Sequence, residues 1–157
     1  MNRQNRQSGM TLIELMTGIA VLAAVVGVAM PAYNGHEEKM RMVEVQKDFG
    51  IMELRIQQYF MKNGEYPTSL TEIGMLKEDP WGNTYQYARM SDQQGNGSVR
   101  KKTGEVPVNR DFDLYSMGPD GDSESPLTAT ASVDDVVRAD DGGYVGWGWE
   151  YCTKTSC

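Results

Sequence analysis

Histidine occurs once in this sequence and cysteine twice, so most catalytic and metal-binding constellations lack their raw material. His36 stands beside a long apolar run, where a solvated or capping role is the ordinary one, and no nucleophile motif surrounds Ser116 or Ser132. Cys152 and Cys157 have neither CxxC spacing nor a histidine partner. Asp111 and Asp113 straddle Phe112 and read as carboxylates of a solvated strand face. An enzyme is therefore not expected. Basic charge is also scarce. Of the 15 Lys and Arg, Arg3 and Arg6 precede the apolar run, which leaves 13 against 22 acidic side chains and a net charge near −9 beyond it. That balance excludes a basic nucleic-acid footprint. No internal repeat is found, and 157 residues leave room for one core plus one anchor.

The chain does have one long apolar run. Between Met10 and Tyr33 the only ionisable side chain before the tyrosine is Glu14. As a helix rising about 1.5 Å per residue, the run would cross a hydrocarbon core of roughly 30 Å. Arg3 and Arg6, with no acid beside them, place the N-terminus in the cytoplasm and everything after Tyr33 outside. No small-residue cleavage site follows the run, as it would in a secretory signal. The small residue, Gly9, comes before it, so a cut there would remove the basic tip and leave the anchor attached.

Beyond Pro31 the helical pattern continues. Met42, Val45, Phe49, Met52, Ile56 and Tyr59 recur at steps of three and four, the stripe of an amphipathic helix. Glu37, Glu38, Lys39, Arg41, Glu44, Lys47, Glu53 and Arg55 fill its solvated faces. No strong breaker intervenes before Asn63-Gly64, which predicts one helix of about fifty residues with a possible kink at Pro31. From Gly64 onward, Gly and Pro leave space for short strands over Thr84–Met90, Phe112–Ser116 and Tyr144–Tyr151. Ser91 to Pro107, rich in Gln, Gly and Lys, reads as a solvated hairpin tip or loop. The expected fold is α+β, with a three- or four-stranded antiparallel sheet resting on the second half of the helix. The organisation is a leader at 1–9, a transmembrane helix at 10–33, its amphipathic continuation at 34–63 and an exported globular domain at 64–157. Cys152 and Cys157 fall in an oxidising setting, where a single disulfide and two unpaired thiols both remain open.

Gly9 followed by Met10-Thr11-Leu12-Ile13-Glu14-Leu15 resembles the processing signature of type IV prepilins and type II secretion pseudopilins. The resemblance implies a type IV pilin-like fold, cleavage between Gly9 and Met10 by a prepilin peptidase, and N-methylation of Met10. The usual first residue in the family is Phe, from which Met10 departs. An ionised carboxylate at membrane depth must be neutralised or paired. In the family, Glu14 of one subunit pairs with the new amine of a neighbour during assembly.

The segments Asn63-Gly64-Glu65-Tyr66-Pro67, Asp79-Pro80-Trp81-Gly82-Asn83 and Asp111 to Gly121 look like the major pseudopilin of type II secretion. This implies a homopolymeric pseudopilus subunit in the bacterial inner membrane, its C-terminus in the periplasm. It would work with an assembly platform and minor pseudopilins to drive secretion. Pro31-Ala32-Tyr33 and the terminal cysteine pair are closer to type IV pilins, so a pilin or minor pilin for adhesion, motility or DNA uptake is the alternative.

The turn from Met117 to Asp122 is similar to the calcium loop of the major pseudopilin. By that resemblance Met117 and Asp122 would offer carbonyls, and Asp120, Asp134 and Asp135 carboxylates, to a hard cation that takes six to eight oxygens. The other reading is an acidic solvated turn, and Asp140-Asp141 compete with Asp134-Asp135 as the closing pair. A function of another class, a tethered calcium-dependent binding module, would use Tyr144, Trp147, Trp149 and Tyr151 as a ligand surface. Aromatics at alternate positions are more often one sheet face packed against a helix.

Overall fold

The computed structural model describes residues 10–92, 99–102, 107–155 and 157, without the side chains of residues 28, 29 and 31–34. A helix, α1, runs from Leu12 to Asn63, 52 residues, and its assignment continues through Pro31. Thr11 and Glu14 build its start. The Glu14 carboxylate accepts from the Thr11 amide at 2.9 Å and its hydroxyl at 2.8 Å, and the Glu14 amide donates back to the Thr11 hydroxyl at 3.4 Å. This is the reciprocal arrangement of a capping box. At the other end Gly64, with φ at 79°, donates its amide to the Phe60 carbonyl at 2.8 Å. A left-handed residue without a Cβ stops the helix there.

The chain falls into two compact units, Met1–Met40 and Arg41–Cys157. In the first, the described large apolar side chains of α1, among them Leu12, Ile13, Leu15, Met16, Ile19 and Leu22, are exposed. Among the described residues no helical stretch is long and apolar enough to cross a membrane. The run read as spanning, 10–33, includes five of the six positions whose side chains are not described.

The second unit is an α+β domain. The antiparallel sheet has strands β1 (Gln86–Arg89), β2 (Phe112–Ser116), β3 (Val136–Ala139) and β4 (Tyr144–Trp147), in that spatial order. Register pairs Ala88 with Asp113, Ser116 with Val136, and Val137 with Gly146. The alternation of strand side chains produces two clusters. Phe112, Leu114 and Val136 meet Val45, Phe49, Met52 and Ile56 of α1, together with Leu70 and Tyr85. On the opposite face Val137 and Ala139 pack with Val108, Leu127 and Tyr151. Each fully buried side chain of this size contributes roughly 1.5–3 kcal/mol relative to exposure.

Several expectations are corrected. Strand β3 lies in a segment that the sequence left unassigned, and its VVRA sequence is buried at every position. The last strand ends at Trp147, because Gly148–Thr155 forms a second helix, α2. Trp147 therefore packs on Trp81 with centroids 5.8 Å apart, Tyr151 is buried against Tyr144, and Trp149 alone is half exposed. The four aromatics do not share one ligand face. Glu53 is not simply solvated: its carboxylate meets buried Arg138 at 3.0 Å, and Arg138 also pairs with Asp111 at 2.7 Å. Asp113 is fully buried, accepting from the Arg100 amide at 2.7 Å and from Asn109 at 2.9 Å, and burial raises its pKa. Val99, Arg100 and Lys101, placed in a solvated tip by composition, are buried.

Candidate functional site

At the start of α1, Met10 is exposed and Glu14 faces Thr11. Gly9 lies outside the described residues, as do the leader positions Arg3 and Arg6. The helix thus begins two residues after Met10, with a carboxylate seated on its own first-turn donors, where negative charge is favoured.

The acidic loop follows β2. Gly118 and Gly121 take φ of 66° and 70°, which bends the chain sharply. The segment Asp79–Asn83 supports this turn from behind. Asp79 accepts from the amides of Trp81 and Asn83, each at 2.9 Å, and from the Ser116 hydroxyl at 2.5 Å. Asn83 then donates to the Gly118 carbonyl at 2.8 Å. Two motifs distant in sequence are therefore one structural unit.

The predicted cation donors come together only in part. Asp134 reaches the turn: its Oδ2 accepts from the Asp120 amide at 3.3 Å. A Cβ on Gly118 would lie 2.1 Å from the Asp134 carbonyl oxygen, so the chain leaves a close cradle there. Asp120 Oδ1 accepts from the Asp122 amide at 2.9 Å. Asp135 is fully buried and points elsewhere, its Oδ2 lying 3.0 Å from Arg100 Nη1 and accepting from the Ser123 hydroxyl at 2.6 Å. Burial pushes its carboxyl up to about 6, against the pull of Arg100 and two serine hydroxyls. Its Oδ1 is buried without a hydrogen-bond partner among the described residues. Among those residues no three acidic side chains converge as a metal-holding group.

The competing pair meets other partners. Asp140 accepts from the Tyr151 hydroxyl at 2.7 Å, and Asp141 from the Arg110 amide at 2.6 Å and side chain at 3.1 Å. Both take left-handed backbone angles, with φ of 53° and 55°. At the C-terminus Cys152 and Cys157 are joined by a disulfide, with Cα atoms 4.7 Å apart. Sequence reasoning missed Arg100, since an arginine in a Gly- and Gln-rich stretch carries no burial signal.

A profile described as the prokaryotic N-terminal methylation motif matches residues 4–30. Type II secretion system core protein G of Klebsiella pneumoniae is 30% identical over 144 residues, covering 76% of this chain and 90% of that protein. The chain belongs to that core protein G family. The Aeromonas hydrophila member is 28% identical, covering 77% of this chain and 89% of its own. A fimbrial protein of Neisseria meningitidis is 27% identical over 85% of this chain and 84% of its own. No solved structure matches. Core protein G membership makes the chain a structural subunit of a pseudopilus.

Proposed function

We propose that a prepilin peptidase cuts this chain between Gly9 and Met10 and N-methylates Met10, after which the subunit polymerises from the inner membrane. Residues 10–33 are its single-pass anchor, and the domain that follows is periplasmic. Copies of the chain form the filament, in company with minor pseudopilins and an inner-membrane assembly platform, and its growth drives protein secretion.

The observation that carries this reading is that the described large apolar side chains of α1 from Leu12 to Met30 are exposed, while its first turn holds one carboxylate, Glu14. Lipid or neighbouring helices are the cover such a surface needs. In a free subunit Thr11 satisfies Glu14. On assembly the methylated amine of a neighbour replaces that cap as its partner. Calcium bound at the Met117–Asp122 turn, with Asp134 and Asp135 Oδ1, would add charge neutralisation to a loop crowded with carboxylates.

Glu14→Ala tests the pairing. The variant should be processed to mature length and inserted, yet yield no filaments in electron microscopy of sheared surface material from an overexpressing strain. Normal filaments would exclude Glu14 as the assembly partner.

A further inference from the structure

Beside the acidic loop lies a charge that composition placed in solvent. Arg100 is 2% exposed. Its guanidinium pairs with Asp135 at 3.0 Å, donates to the Ser132 hydroxyl at 3.2 Å, and also donates to the Ser123 hydroxyl and the Glu124 carbonyl. Its plane lies over the Tyr115 ring, 3.6 Å from the centroid, where a desolvated cation is attracted to the aromatic face. The backbone around it is also fastened to the loop. Lys101 donates its amide to the Ser125 carbonyl at 3.2 Å and accepts from the Leu127 amide at 3.0 Å, while the Arg100 carbonyl accepts from Val108 at 3.0 Å.

Apart from Tyr115 and Val108, these partners lie between Ser123 and Asp135. The carboxylate and carbonyls of that stretch need positive charge or donors to be held together in a buried place. A guanidinium supplies both: it is permanently charged and offers five donors in a fixed fork. We propose that Arg100 is the resident cation of this loop and holds Ser123–Asp135 closed whether or not calcium is bound. Calcium, on the reading above, acts on the Met117–Asp122 turn and on the one oxygen of Asp135 that Arg100 leaves free. Neutralising Asp135 through Oδ2 also weakens that oxygen as a calcium donor, so the ion contributes less than an unpaired carboxylate would allow.

Segment-resolved hydrogen–deuterium exchange on the full chain in detergent, in calcium chloride or in chelator, tests this. Wild-type amides of Ser123–Asp135 should stay protected in both buffers. In Arg100→Gln, protection there should fall on the order of tenfold in chelator. Arg100→Lys, which keeps the charge and loses the fork, should lose less. Should the Gln variant be too unstable to isolate, wild type and Arg100→Lys still decide. Opening of Ser123–Asp135 in wild type on chelation overturns the proposal, as does Arg100→Lys matching wild type in both buffers. The calcium reading fails on a different signal: unchanged wild-type protection at Gly118–Asp122 between the two buffers.

Discussion

A single methyl group at Gly118 would collide with the turn's own partner. The added Cβ would lie 2.1 Å from the Asp134 carbonyl oxygen and 3.1 Å from its Oδ2, at a backbone φ of 66°. Gly118→Ala should therefore lower stability by more than about 1 kcal/mol, through both strain and collision. Gly50 sits mid-helix with nothing within 4 Å of the position its Cβ would take. Gly50→Ala should stabilise by about 0.5–1 kcal/mol, because alanine loses less backbone entropy in a helix. Urea denaturation of the two variants should move the midpoint in opposite directions, and equal midpoints would show that the Gly118 turn can shift. The motif around Gly118 was legible as a turn because its glycines punctuate the chain. Its fit against Asp134 was not, since that contact joins residues sixteen positions apart.

Along α1, burial follows the three-four spacing read from the sequence. Val45, Phe49, Met52 and Ile56 are buried at 0–1% exposure, whereas Leu54, equally apolar, is 59% exposed on another face. Phe49→Ala should cost about 3–5 kcal/mol, and Leu54→Ala should stay within about 0.5 kcal/mol, measured by the same denaturation. A large effect at Leu54 would mean that the face is covered within the chain. The same helix hid two polar anchors from a pattern that counts only apolar residues. Asp48 is buried, with Lys77 at 2.7 Å and the Tyr85 hydroxyl at 2.9 Å, and Glu53 reaches Arg138. In the sheet, β2 was visible as alternating FDLYS. β3 was not, because VVRA is too short to alternate and its arginine is buried by partners on α1 and beside β2.

For the molecule as a whole, the proposed processing step is tested at Gly9, the residue before the proposed cut. Gly9→Leu should block the peptidase and leave Arg3 and Arg6 attached, so that the chain migrates at precursor length and makes no filaments. A mature-length band on a gel would contradict that. The N-terminal signature, the helix of about fifty residues and the α+β class are properties of local sequence: they rest on spacing, charge asymmetry and apolar runs that need no partner. Family membership agrees with that reading. The tertiary structure decided the rest. It brought Asp134, rather than Asp140 and Asp141, to the Gly118 turn, ended the last strand at Trp147, and buried Arg100 beside Asp135. A buried charge is stable only where distant residues supply its counter-charge and hydrogen bonds, and no window of sequence contains them.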